Sequence, residues 1–168
     1  DVYKRQAGPT IEVIDPVRFV SNRSSGKMGY AIAEALRNRG AIVTLVAGPT
    51  TLEDPKDIEV IHVQSAEEMF EQVTSRFDEQ DIVVKAAAVS DYTPVDVLEH
   101  KMKKQDGDLS VSFKRTKDIL KYLGEHKTSQ YLIGFAAETE DIENYAQQKL
   151  RKKNACLLYT SPSPRDRQ

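Results

Sequence analysis

The sequence has one cysteine, Cys156, in 168 residues. That excludes a framework of internal disulfides and fits a reducing compartment, the cytoplasm. Three histidines, His62, His100 and His126, stand far apart without ligand spacing, so protein side chains alone are not expected to build a metal site. No apolar run approaches the roughly 18 residues of a membrane span. No charged start leads into an apolar centre, as a secretory signal would require. Charge of one sign is missing too: 24 basic residues face 26 acidic ones, a net charge of -2. Such a balance gives no overall attraction to nucleic acid or to an anionic membrane. What is left is a chain of one-domain length.

The two ends differ from the rest. DVYKRQ at the start and CLLYTSPSPRDRQ at the finish lack an apolar period and break the pattern beside them. Both resemble translated adapter read-through, so residues 1–6 and 156–168 are expected to be non-native, with 7–155 as the domain proper. A strand is wanted ahead of AGPT, and DVYKRQ is a poor candidate for it. The first strand is therefore expected to be missing.

Between the ends the pattern alternates. Met28, Ile32 and Leu36 have helical spacing, with Ala31 and Ala35 beside them, and Gly40 stops the run. AIVTLVAGP reads as a strand, and so does IEVIHV. Ser65 and Glu68 form a capping box ahead of a helix carrying Met69, Val73 and Phe77. DIVVKAAAV and YLIGFAAE are uniformly apolar, as strands buried on both faces are. Asp106-Gly107, between a basic run and the alternation Leu109, Val111 and Phe113, signals a hairpin. Thr116 is placed to cap a helix with Ile119, Leu120 and Leu123. A last helix is expected from about Thr139, with Glu140 and Asp141 in its first turn and a basic end in KLRKKN. The sum is an α/β fold: a Rossmann-like, mostly parallel sheet with flanking helices and an inserted hairpin, lacking its first strand and C-terminal part.

FVSNRSSGKMG invites comparison with phosphate-binding loops but matches neither common one. Ser21 stands where a P-loop has its first glycine, and Met28 follows Lys27 where a hydroxyl belongs. Only Gly26 and Gly29 represent the dinucleotide fingerprint. Small residues ahead of a helix still suit an anion, because the backbone can approach and the helix start offers free N–H groups. The plainer reading is a turn capped by Ser24 or Ser25. HKMKK alone reads as a solvated charged strand face, and Lys149 to Lys153 as a basic helix end. Asp91 and Phe135 gain interest from position, near the carboxyl ends of strands where open α/β sheets bind ligands.

Taken in order, GPTIEVIDPVRFVSNRSSGKMGYAIAEAL, AAAVSDY, HKMKK, IGFAAETED and QKLRKKN resemble the bacterial phosphopantothenate–cysteine ligases of coenzyme A biosynthesis. On that resemblance residues 7–155 are a partial ligase domain. It implies that 4′-phosphopantothenate is activated by CTP, with Mg²⁺ carried by the nucleotide, to an acyl-cytidylate. L-cysteine then displaces CMP. It further implies a homodimer and, in many relatives, fusion to a flavin-dependent decarboxylase. Asn22 matches the asparagine that holds the acyl-cytidylate, and Lys101 the mobile-loop lysine over the triphosphate; these are the expected catalytic residues. Arg18, Asn22 and Ala88 are the expected substrate contacts. Nucleotide contacts are expected from Ser24, Gly26, Ala87, Ala88, Asp91 and Lys101. Others are expected from Lys117, Asp118, Ile119, Leu120, Phe135, Lys149 and Lys153. Lys117 stands where many relatives have proline. Two other readings fit the same α/β pattern: an NAD(P)-dependent oxidoreductase and a non-catalytic nucleotide-binding fragment.

Overall fold

The structure, a computed structural model, describes residues 2–104, 107–136 and 142–160. The strands are β1 (Val2–Ala7), β2 (Ile11–Asp15), β3 (Arg18–Ser21), β4 (Ile42–Ala47), β5 (Glu59–His62), β6 (Ile82–Lys85), β7 (Tyr92–Pro94), β8 (Phe113–Arg115), β9 (Tyr131–Ala136) and β10 (Leu157–Thr160). The helices are α1 (Lys27–Arg37), α2 (Ala66–Thr74), α3 (Ile119–His126) and α4 (Ile142–Lys152). Six strands make one sheet in the order β10-β9-β6-β1-β4-β5, and every pairing in it is parallel. Among the described residues no helix is long and apolar enough to cross a membrane.

The sheet is covered on both faces, which explains the unbroken apolar strands. On one face Tyr30 and Ala33 of α1 pack with Ala7, Val43, Leu45 and Ala47. On the other, Met69 and Val73 of α2 and Ile119 and Leu123 of α3 pack with Val46, Val83 and Leu132. Burying an aliphatic side chain of this size contributes roughly 1.5–3 kcal/mol. Met69 and Val73 are buried on α2 as expected; Phe77, expected on the same helix, is buried too but lies in a separate 3-10 turn, Phe77–Glu79. Ser65 Oγ accepts the Glu68 N–H at 3.1 Å, while the Glu68 carboxylate reaches one residue further back, to Gln64 N–H at 2.7 Å.

Several expectations need correcting. Residues 2–6 of the DVYKRQ stretch, with Ala7, do form the first strand: β1 lies between β4 and β6, its backbone paired on both sides. Leu157–Thr160, expected to lie outside the fold, pairs with β9 as β10. Residues 11–21, unassigned from sequence, form the antiparallel β2–β3 hairpin, whose turn is held by Asp15 Oδ1 accepting the N–H groups of Val17 and Arg18, both at 2.8 Å. The α1 face is rotated. Gly29, Tyr30 and Ala33 are buried, while Met28 is 47 % exposed. A Cβ at Gly29 would lie 2.4 Å from the Ala7 Cβ, so its absence lets α1 sit on β1. The second ribbon pairs β7 with β8 antiparallel across a long loop that contains Asp106-Gly107, rather than pairing HKMKK with the run of Leu109, Val111 and Phe113 across a tight turn there. Asp106 falls outside the described residues, and HKMKK is loop. Asp118 caps α3, accepting the Lys121 N–H at 3.0 Å, because Thr116 Oγ1 is committed to Ser90 O at 2.6 Å. Thr139, Glu140 and Asp141 lie outside the described residues; the described part of α4 starts at Ile142.

Gln6, in the middle of the sheet, is fully buried, and neither its amide nitrogen nor its amide oxygen has a hydrogen-bond partner among the described residues. An unmet buried amide costs about 1–3 kcal/mol. Gln6→Met, which keeps the length and removes both polar groups, is expected to stabilise the protein by about 1 kcal/mol or more in urea unfolding. A destabilised variant would show that the amide is satisfied.

Candidate functional site

The chain runs from β1 to β4 and β5 on one side, then crosses back to β6, β9 and β10 on the other. The strand order therefore reverses between β1 and β6, where such sheets leave a crevice beyond the strands' carboxyl ends. The exits of these strands are sewn together. Ala88 N–H donates to Gly8 O at 2.9 Å, Thr10 N–H to Ala88 O at 3.3 Å, and Ser90 N–H to Thr10 Oγ1 at 2.9 Å. Asn22, carried on the segment after β3, joins this cluster: its side-chain NH₂ donates to Ala88 O at 3.1 Å. A carbonyl partner fixes which end of the amide is the donor. Asn22 is exposed, as a group meant for a ligand must be. Asn22 and Ala88, both expected substrate contacts, thus meet in the crevice.

Ser24 and Gly26 stand at the entrance of α1, alongside. Gly26, not Ser24 or Ser25, is the N-cap, with φ of 75° and no side-chain cap. Ser24 Oγ faces the Gly26 N–H at 3.4 Å. A Cβ on Gly26 would lie 3.2 Å from the Gly8 Cα, so left-handed geometry and close approach both favour glycine. The start of α1 is thereby held over the exit of β1.

A concave pocket of about 340 Å³ opens on the β6–β9 side. Its size is in the range of small-ligand pockets. Asp91 enters from the segment after β6, and Lys117, Asp118, Ile119 and Leu120 line it from the start of α3. Phe135 contributes from β9, Lys149 from α4 and Lys153 from the turn that follows it. Eight of the expected nucleotide contacts, scattered over 63 positions of sequence, therefore share one cavity. Lys153 is ion-paired with Asp118. Burial raises the Asp118 carboxyl, but Lys153 and the Lys121 N–H outweigh it and hold it below its usual range. Phe135 stacks on Tyr159 of β10, with centroids 5.3 Å apart.

Lys117 lines the pocket but its ammonium points elsewhere, to Glu67 of α2 at 2.5 Å, and 4.8 Å from the centre of the Phe70 ring. Its hydrogen bond to Glu67 raises its pKa. Lys117 thus ties α2 to the start of α3. Sequence reasoning missed six pocket residues: Lys85, Val89, Ser90, Tyr92, Arg115 and Thr116. Lys85 was hidden inside an apolar run, and only its charge could have given it away.

Arg18 and Lys101 do not line this pocket. Arg18 is paired to the buried Asp15 at 2.6 Å and also donates to Met102 O at 3.3 Å. Met102 N–H donates back to Asp15 Oδ2 at 3.2 Å, and Leu98 N–H to Ile14 O at 3.0 Å. The loop that presents the exposed Lys101 is therefore fastened to the β2–β3 hairpin on both sides of that residue. Ala87 packs against the core beneath α2 and α3.

Burial raises the Asp15 carboxyl, but the N–H groups of Val17, Met102 and Arg18 and the Arg18 guanidinium more than offset this, bringing it down to about 2. A carboxyl lower in the folded than in the unfolded chain stabilises above the unfolded value near 4. That contribution is lost as pH falls toward 2. Urea midpoints measured from pH 5 to pH 2 are expected to drop across this window, and Asp15→Asn is expected to flatten the drop. An equally steep profile in the variant would place the acid sensitivity elsewhere.

With this geometry in hand, the chain can be set beside known proteins. The family model described as the DNA/pantothenate metabolism flavoprotein C-terminal domain matches residues 6–163. The chain is 59% identical over 153 residues to the coenzyme A biosynthesis bifunctional protein CoaBC of Bacillus subtilis, covering 90% of this chain and 38% of that protein. The Haemophilus influenzae protein of the same name is 47% identical over the same shares. The chain thus spans well under half the length of these relatives. A crystal structure of the C-terminal domain of a CoaBC protein superposes with a TM-score of 0.86 at 49% identity, over 96% of this chain and 76% of that one. The chain belongs to the DNA/pantothenate metabolism flavoprotein C-terminal domain family.

Proposed function

We propose that this chain carries the phosphopantothenate–cysteine ligase site of coenzyme A biosynthesis. The observation that carries the proposal is the joining of eight expected nucleotide contacts in one cavity next to the Asn22–Ala88 contact. The 59% identity to a coenzyme A biosynthesis protein supports it.

The reaction has two steps. The carboxylate oxygen of 4′-phosphopantothenate attacks the α-phosphorus of CTP, and pyrophosphate leaves. The cysteine amine then attacks the acyl carbon, and CMP leaves with the bonding pair while the amine loses a proton. Activation is needed because a free carboxylate has no adequate leaving group. Both substrates are anionic, so the protein's task is mainly to position them and to offset charge. Lys149 of α4 and Lys153 just after it supply positive charge, and the exposed Asn22 amide is the group offered to an acyl-cytidylate oxygen. Mg²⁺ would enter as part of the nucleotide complex. Its role there is to offset phosphate charge.

Release of pyrophosphate from CTP is expected to need 4′-phosphopantothenate, with amide product appearing only once cysteine is added. Asn22→Ala and Lys101→Ala are each expected to lower that turnover by about 100-fold, the scale of losing one donor to a developing charge. Unchanged turnover in both would overturn the site assignment. A folded protein that releases no pyrophosphate from CTP or ATP would leave only a nucleotide-binding domain.

We also propose that the domain acts as a homodimer and, within a parent protein, beside a flavin-dependent decarboxylase in the cytoplasm. Exposed apolar side chains on and beside the β2–β3 hairpin support self-association: Val17 and Phe19 are each 57 % exposed and Val97 59 %. Large apolar groups gathered on a surface mark contact sites. Sedimentation is expected to show a dimer that Phe19→Asp shifts toward monomer, while a dimer unaffected by the substitution would place the interface on another face.

A further inference from the structure

Lys85 is the last residue of β6, with Gln6 of β1 and Gly134 of β9 as its register partners. Side chains alternate along a strand, so Lys85 lies on the same face as Val83, which packs under α2 and α3. It therefore reaches the pocket from its floor. No hydrogen bond or close ion pair to Lys85 exists among the described residues. The carboxylate best placed to meet it is already committed: Asp118 accepts the Lys121 N–H through Oδ1 and Lys153 through Oδ2. Asp91 attracts Lys85 across the cavity from the segment after β6, and Asp118 does so from the start of α3. Lys149 repels it from α4, and Lys153 from the turn after α4. A partly buried ammonium among other cations, with no carboxylate of its own, is costly unless a ligand brings negative charge.

We propose that Lys85 is a ligand-contacting residue whose ammonium donates to a phosphate oxygen of the nucleotide bound in this pocket. This rests on reading the pocket as the nucleotide site. The phosphate would complete the corner that Lys149 and Lys153 already make basic. It would also change the state of Lys85 itself. Burial lowers the Lys85 pKa in the empty pocket, and an adjacent phosphate acts in the opposite direction. Phosphate binding is therefore coupled to proton uptake at Lys85, and affinity falls as pH rises through the lowered value. The Lys85 variant separates proton uptake at Lys85 from any uptake elsewhere in the pocket.

The test is calorimetric titration of the 168-residue chain with CTP, CMP and cytidine, in buffers of different ionisation enthalpy. Wild type, Lys85→Met and Lys149→Met are compared, with thermal unfolding of each. Lys85→Met is expected to weaken CTP and CMP by about ten- to a hundredfold, the scale of one charged hydrogen bond, and to leave cytidine unchanged. Proton uptake with CTP is expected in wild type and not in Lys85→Met. An equal loss for cytidine would overturn the phosphate contact, since cytidine has none. Unchanged affinities in Lys85→Met, with weaker binding in Lys149→Met, would overturn the inference and leave the site reading standing. No binding of CTP by the wild-type chain would overturn both.

Discussion

The site depends on one join, the continuation of β1–β6 pairing past the ends of both strands. Pro9 and Ala88 form an isolated parallel bridge, with Gly8 O and Thr10 N–H as the bonding groups on one side and the Ala88 peptide on the other. Thr10 then satisfies Ser90 through its hydroxyl, and Ser21 caps the Thr10 carbonyl at 2.7 Å. These buried polar groups have few other partners, so the join is specific as well as stabilising. Through it the β2–β3 hairpin, Asn22 and the segment leading to Asp91 take their places at the switch in strand order. The β4 exit follows the same design. Its AGPT repeats the AGPT after β1, Ala7 and Ala47 are register partners, and Gly48 N–H donates to Ala7 O at 2.9 Å.

Charge is arranged differently on the two sides of this join. In the pocket, cations outnumber carboxylates, and the ion pair between Lys153 and Asp118 links the turn after α4 to the cap of α3. At the hairpin, Arg18 and Asp15 neutralise each other, and the pair is used to hold backbone. A basic side chain in a sequence motif can thus be a ligand group or a strut. Arg18 and Lys117 are struts in this structure, although each lies in a stretch that reads as binding machinery.

The alternating α/β order was legible because β4, β6 and β9 are apolar on both faces and α2 carries its own cap and buried stripe. Much of the pocket was legible from the resemblance, since its residues lie in short stretches of familiar order. The rest was hidden for physical reasons. Lys4, Arg5 and Gln6 argue against a central strand, yet pairing on both sides satisfies the β1 backbone whatever the side chains. The hairpin turns on Asp15 accepting two N–H groups, which no apolar period announces. Lys85 was read as part of a longer strand, but β6 ends there and the AAAV that follows bends into the crevice. The anchoring of the Lys101 loop rests on the backbone of Met102, so side-chain identity carried no sign of it.

That anchoring sets a mechanical limit on Lys101. The residue sits on a span tied down at Leu98 and again at Met102. So short a tether cannot swing as a flap does, because its ends are already fixed to the hairpin. Its reach is little more than the length of one lysine side chain unless Asp15 lets go of the Met102 N–H. Any travel of Lys101 toward the pocket is therefore an unfastening first and a movement second, with Arg18 and Asp15 acting as the clasp.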